Sequence, residues 1–223
     1  MALRGGLRLV LFGPPGVGKG TQAAAIRERI GVPHIATGDM LRAAMKEGSP
    51  LGQKVRSIVE RGDLVPDDVV GELMAARLAK PDAAAGFLLD GFPRTLAQAA
   101  MLDRVLQESG VALDGVINIA VPEPEIVDRI TGRLVCGTCG TVFHARYRRP
   151  RVEGVCDRCG GTLQARSDDN RAAVEARLRV YQEQTSPLVA HYEKAGLMRT
   201  IDGRGTPDEV CGRIKAAFPA LGR

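Results

Sequence analysis

Two stretches of this chain place reactive residue types at spacings that do chemistry. The first is Gly13-Pro14-Pro15-Gly16-Val17-Gly18-Lys19-Gly20-Thr21-Gln22. Glycines at this density let backbone N–H groups turn inward on an anion, and a helix that starts at the lysine aims its positive end at the same point. Lys19 adds a mobile charge for outer phosphates. The Gly13-x4-Gly18-Lys19 spacing fits a phosphate-binding loop, except that Gly20 stands where Ser or Thr is usual and Thr21 supplies the hydroxyl one place later. The second stretch, Cys136-x2-Cys139-x16-Cys156-x2-Cys159, has the spacing of a four-thiolate zinc site. Four protein ligands leave no position for a substrate, so such a zinc is structural. Its binding adds −4 and +2 to the formal charge of +5, giving +3. Gly137, Gly140 and Gly160 allow the turns that pair the sulfurs. An insert of about 30 residues with so little apolar content needs the metal as its cross-link. Cys211 stands alone in the closing helix and reads as a buried apolar residue.

Both motifs need elements to hold them. Residues 8–12 form a short β-rich apolar run that breaks into the glycine loop, and a helical pattern follows over 19–29. A short buried strand fits 33–35, and 38–64 read as short helices broken by Gly48, Pro50, Gly52 and Gly62. Residues 67–78 place Val69, Val70, Leu73, Met74 and Leu78 at helical spacing. An apolar strand at 87–90 ends in Gly91-Phe92-Pro93, followed by a helix over 95–108 and a strand over 116–121. Pro122 and Pro124 open a helix expected to reach Leu134; residues 135–165 lose the helical period; 168–194 resume it with punctuation at Pro187. A strand at 198–201 and a helix at 209–218 close the chain. Strands alternating with helices predict parallel βαβ units. Asp90 then lies at the carboxyl edge of a strand, where open α/β sheets bind ligands; capping the following turn is its alternative role.

Composition sets the bounds. The chain has 223 residues, 44% hydrophobic and 26% charged, which excludes a disordered chain, a collagen-like repeat and a disulfide-rich miniprotein. A net charge of +5, from 31 basic and 26 acidic residues, suits a phosphate compound or a nucleic acid without selecting between them. Of the basic residues 25 are Arg, which genome composition accounts for, so position decides each case. The apolar run at 9–12 is far too short to span a membrane, and no signal region follows residues 1–6. A cytoplasmic location is expected, where cysteines bind metal or stay free.

The loop at 13–22, with its shifted Thr, is joined by Thr37-Gly38-Asp39-Met40-Leu41-Arg42, by Asp90-Gly91-Phe92-Pro93-Arg94-Thr95, and by Gly132-Arg133 leading into the cysteine segment. Together these resemble the nucleoside monophosphate kinases, and among them the adenylate kinases of the long-lid, zinc-containing type, from about residue 7 to 218. The resemblance implies an α/β fold: a P-loop parallel five-stranded sheet with helices on both faces. It divides the chain into a core (1–35, 66–131 and 170–223), a helical AMP-binding insert (36–65) and a zinc-ribbon-like lid (132–169). It implies Mg·ATP + AMP ⇌ 2 ADP in a monomer that uses Mg2+ and structural Zn2+, with lid and insert closing about Gly132 and Asp168.

By the same resemblance Lys19 meets the donor phosphates within a loop of Gly16, Val17, Gly18, Gly20 and Thr21. Arg129 stacks on the donor adenine, Val142 and Phe143 belong to the ATP site, and a backbone contact to the donor base falls near Gly205. Arg42 and Arg94 hold the acceptor phosphate, Arg133, Arg166 and Arg177 close over the donor, and Arg166 and Arg177 also belong to the AMP site. Asp90 orients Mg2+ through its waters. Thr37, Asp63, Leu64, Val65, Gly91, Phe92, Pro93 and Gln98 form the acceptor's adenosine pocket. Relatives acting on uridine or cytidine monophosphate tend to carry Ala where Thr37 stands, which favours adenine. The Phe92–Pro93 bond is a candidate for cis. The attacking phosphate oxygen is already ionised near pH 7, so cations rather than a His are expected to do the work. The three His residues, with no convincing partner, read as surface or core; His144 is a spare ligand beside four cysteines. Two rival readings stand: GTP as the donor, and a zinc-ribbon nucleic-acid binder. The latter rests on the basic run His144-Ala145-Arg146-Tyr147-Arg148-Arg149-Pro150-Arg151, which also fits a solvated lid face. Neither nucleic acid nor a membrane is an expected partner.

Overall fold

The computed structural model describes residues 6–222; residues 1–5, which the leader and core readings include, and residue 223 lie outside the described residues. Leu9, Val10, Leu11 and Phe12 are all buried, as a strand covered on both faces requires. This strand, β1 (Arg8–Phe12), is the middle of a five-stranded parallel sheet. It pairs with β3 (Phe87–Asp90) on one side and β4 (Gly115–Ala120) on the other, with β2 (His34–Ala36) and β8 (Met198–Asp202) at the edges. Alternate residues feed opposite layers. Val10, Phe12 and Leu89 pack with α4 (Asp67–Leu78), α5 (Leu96–Glu108) and α8 (Pro187–Lys194). Leu9, Leu11 and Leu88 pack with α1 (Lys19–Ile30), α6 (Glu123–Thr131), α7 (Arg171–Val180) and α9 (Pro207–Ala217). The chain runs outward from β1 to one side and then to the other, so the loop leaving β1 stands at the switch point of the sheet.

The structure departs from the sequence expectations at four places. Gly48 and Gly62 do end helices, α2 (Thr37–Glu47) and α3 (Pro50–Arg61), with φ of +69° and +84°. Gly52 does not: it lies inside α3, where a Cβ would sit 2.1 Å from the Ala44 carbonyl oxygen, so it is the contact that lets α2 and α3 touch. The helix opened by Pro122 ends at Thr131 rather than Leu134. Arg133 and Leu134 are drawn into β5 (Arg133–Cys136), where they pair with His144 and Phe143 of β6 (Val142–His144). With β7 (Leu163–Gln164) these make a three-stranded antiparallel sheet. Residues 168–194 hold two helices joined by a π-helical turn, Tyr181–Thr185. Pro187 has no N–H to continue the ladder, and Ser186 N–H reaches back to the Tyr181 carbonyl at 2.8 Å. Finally, a 3-10 turn, Pro219–Gly222, buries Leu221 against the core.

Candidate active site

The loop after β1 is shaped by backbone freedom that only glycine has at low cost. Gly18 caps α1 at φ +97° with open space around its Cα, while a Cβ on Gly13 (φ +124°) would meet the Ile119 carbonyl oxygen at 2.3 Å. No side chain caps α1 and its first turn holds no acid, so its leading N–H groups are available to an anion. Lys19 Nζ donates to the carbonyls of Gly13 and Pro14, both at 2.8 Å. Its ammonium is pushed down to about 8 by enclosure; Asp90 partly restores it, and Arg94, Arg177 and Arg133 depress it further.

That list of neighbours defines the centre. Asp90 ends β3 beside the loop. Burial alone would raise its carboxyl, but the His34 imidazole, Lys19 and Arg94 together hold it below the usual carboxylate range. His34 thus has a partner that the sequence did not reveal: its Nε2 lies 3.4 Å from Asp90 Oδ2 across the β2–β3 pairing. Asp90 does not cap the turn; that task falls to Thr37 and Arg94, which donate to the Gly91 carbonyl, both at 2.8 Å. The Phe92–Pro93 bond is cis.

Around this centre the guanidiniums lean on two buried aspartates. Arg133 forks onto Asp169, and Arg177 Nη1 reaches Asp168 Oδ2 at 3.1 Å. Arg166, at the end of the lid, sits 3.7 Å from Asp39, to which Arg42 also donates at 2.6 Å. Burial, and then mutual repulsion among the cations, lower Arg166 and Arg177 to about 10. Guanidiniums at that level stay charged at neutral pH, and the depression records chiefly their burial, with neighbouring cations adding to it.

Beside the centre a cleft is lined by Thr37, Arg42, Asp63, Leu64, Val65, Gly91, Arg94, Gln98 and Arg177. The structure therefore brings together most of the expected acceptor residues. Three differ. Phe92 and Pro93 are buried behind the cleft and support it, and Arg166 stands at its rim near Asp39 rather than in its wall. The Asp63 carboxylate turns out to Arg61 at 2.9 Å. Asp168, Val59 and Val70 also line the cleft. The apolar face carrying Val70 was legible as a face, though not as a wall of a site.

On the other flank Arg129 Nη1 donates to the Gly203 carbonyl at 3.1 Å, next to Gly205 with its φ of +100°. Phe143 does not offer its ring to a ligand: it is buried with Leu134, Leu163, Cys136 and Cys156 in the core of the small sheet, with the Arg148 guanidinium over it. Val142, beside it, is half-buried.

The four thiols of Cys136, Cys139, Cys156 and Cys159 lie within 4.8 Å of one another. Sulfur pairs at 3.5 and 3.6 Å approach the ~3.8 Å edge of a tetrahedron built on ~2.3 Å Zn–S bonds. The donor set fits zinc, and the Thr141 hydroxyl and backbone lower Cys139 to about 6. Gly140 and Gly160 turn the two knuckles at φ +70° and +72°. Gly137 takes no such conformation; the close approach is at Gly161, where a Cβ would lie 3.0 Å from Cys136 Sγ. His144 faces away from the sulfurs, Nε2 against the Asp128 carbonyl at 3.1 Å and Nδ1 accepting from Arg146 and Tyr147 N–H. The basic run is largely exposed, and several of its side chains bond within the chain: Arg146 and Tyr147 hold Asp128, Arg148 the Val142 carbonyl, and Arg149 that of Ala145. Cys211 is buried. Among the described residues no helix is long and apolar enough to cross a membrane.

The chain matches the family model described as adenylate kinase over residues 11–197. It is 52% identical over 212 residues to an adenylate kinase of Carboxydothermus hydrogenoformans, a match that covers 95% of this chain and 99% of that one. It is also 52% identical over 217 residues to that of Moorella thermoacetica, covering 97% and 99%. The adenylate kinase of Archaeoglobus fulgidus is 47% identical over 215 residues, covering 96% and 99%.

Proposed function

The chain belongs to the adenylate kinase family, and from that premise we propose that it moves the terminal phosphoryl group of Mg·ATP reversibly onto AMP, giving two ADP. The observation that carries this reading is the meeting of Lys19, Asp90, Arg94, Arg133 and Arg177 between the glycine loop and the Thr37–Gln98 cleft. No general base is needed, since the attacking AMP oxygen is already ionised. The protein's task is to align two anionic phosphates in line and to neutralise the charge that spreads over the moving group.

In this reading the loop N–H groups and Lys19 take the donor phosphates, and Lys19 exchanges its two carbonyl partners for phosphate oxygens. Arg42 and Arg94 hold the AMP phosphate; Arg133, Arg166 and Arg177 bridge the two nucleotides. Thr37 spends its proton on the Gly91 carbonyl and keeps a lone pair for the base, while Gln98 presents its amide. Arg129 covers the donor adenine, and the backbones of Val142, Phe143 and Gly205 border it. Asp90, whose carboxyl His34 and Lys19 help hold below its usual range, would hold magnesium through its waters, and that cation would supply charge neutralisation at the phosphates. The four cysteines hold a structural zinc that fixes the small sheet. Residues 36–65 and 132–169 close over both nucleotides, expel water and so suppress hydrolysis. The enzyme acts as a monomer in the cytoplasm, without nucleic acid or membrane.

The test is ADP formation from ATP and AMP with magnesium, with GTP as an alternative donor and UMP and CMP as alternative acceptors. Turnover with AMP, lost in Lys19→Met, supports the reading; turnover only with another acceptor, or none by folded protein, refutes it.

A further inference from the structure

Gln98 is almost fully buried (1% exposed), and its amide is held by two partners of opposite and fixed polarity. Its Oε1 accepts from the Arg94 backbone N–H at 2.8 Å, and its Nε2 donates to Asp67 Oδ1 at 2.7 Å. A backbone N–H only donates and a carboxylate only accepts, so the amide is compatible with these neighbours in one orientation alone. Asp67 is itself fixed. Its other oxygen accepts from the Thr95 hydroxyl at 2.9 Å, and Thr95 in turn accepts from Gln98 N–H at the start of α5. The four bonds form a closed circuit linking the first residue of α4 to the first turn of α5.

We propose that Asp67, together with the Arg94 backbone N–H, sets acceptor-base choice by fixing which end of the Gln98 amide donates. The inference rests on the proposed role of Gln98 against the acceptor base. A carboxamide has two N–H groups and two lone pairs on oxygen, so the circuit leaves one of each for a ligand in the cleft. Adenine offers an N6–H donor beside the N1 acceptor, which match Oε1 and Nε2 as they are held. A 6-oxopurine offers the reverse, an O6 acceptor beside an N1–H donor, and matches only a flipped amide. A flip would set Nε2 against the Arg94 N–H and Oε1 against the Asp67 carboxylate, two repulsive contacts in place of two bonds. Asp67 touches no substrate in this scheme; it acts as a positioning residue through Gln98.

The experiment compares AMP with IMP, which reverses the edge without adding the 2-amino group of guanine. In Asp67→Asn the new amide can turn either way: with its oxygen on Gln98 Nε2 its NH2 donates to the Thr95 hydroxyl oxygen, and turned over its NH2 meets Gln98 Oε1 while its oxygen accepts from the Thr95 hydroxyl. The ratio of kcat/KM for AMP over IMP is expected to fall about tenfold, in the KM values, with KM for ATP unchanged. Thr95→Val, which frees one side of the carboxylate, should lower the ratio by less, and it serves as the second variant if Asp67→Asn melts early. If both nucleotides lose efficiency equally, Asp67 is merely structural and the inference is overturned. Gln98→Leu separates the two levels. A changed ratio there with none in Asp67→Asn or Thr95→Val sinks only the inference. An unchanged ratio and KM in Gln98→Leu sinks the placement of the acceptor base itself.

Discussion

Lys19 shows how an environment assigns a residue its task. A lysine hydrogen-bonded to two carbonyls and crowded by three guanidiniums is held as a cation at a cost, and an arriving phosphate removes that cost. Lys19→Met should therefore lower turnover by about 10²–10³-fold or more while melting temperature stays within a few degrees. The sign of the pH effect follows. Free Lys19 titrates at about 8, and phosphates beside it favour the ammonium, so binding above that pH takes up a proton. ATP affinity should be flat below pH 7 and fall above pH 8, by up to about tenfold per unit. Calorimetry at pH 8.5 in buffers of different ionisation enthalpy checks this: uptake is expected, and no uptake or release contradicts it. The sequence displayed Lys19 through its glycine setting and the arginines through resemblance. It could not display His34 against Asp90 or Asp67 against Gln98, because those contacts join residues 56 and 31 positions apart and arise only from parallel strand pairing and helix packing.

Among the elements, helix and strand interiors were legible because burial on both faces leaves continuous apolar runs at 8–12 and 87–90, and α4 runs over 67–78 as its spacing predicts. The misreadings had tertiary causes. Gly52 carries the sequence mark of a breaker yet serves as a packing contact, and Leu134 was claimed by strand pairing. Gly52→Ala tests the first. Helix propensity alone would stabilise α3 by about 1 kcal/mol, but the added methyl meets the Ala44 carbonyl and forces α2 and α3 apart. We expect a net loss of about 1–3 kcal/mol, with a raised KM for AMP and an unchanged KM for ATP. A more stable variant would contradict the packing argument. The small sheet has Phe143, Leu163 and two cysteines as its buried core, so it is expected to rely on the proposed zinc for its order. Cys156→Ser or chelation should lower the melting temperature by about 5–10 °C and leave partial activity. Complete loss of activity in a folded variant would contradict a structural role for the site.

For the whole molecule, the sheet's switch point locates the loop, Arg94 and Arg177 stand on elements beside it, and Arg42, Arg133 and Arg166 come from residues 36–65 and 132–169. An ion pair at 3.7 Å between Arg166 and Asp39 joins those two segments. Lid and insert should close on both nucleotides: in X-ray scattering, a mimic of two adenosines joined by a phosphate chain should lower the radius of gyration toward the ~17 Å of a compact chain of this length. An unchanged radius would contradict closure. The measurement that bears most directly on the account is ADP formation from ATP plus AMP by purified, zinc-loaded protein with magnesium, alongside Lys19→Met. The account predicts rapid turnover specific to AMP that the variant loses while still folded. Folded protein with no turnover, or a variant as active as the parent, would contradict it.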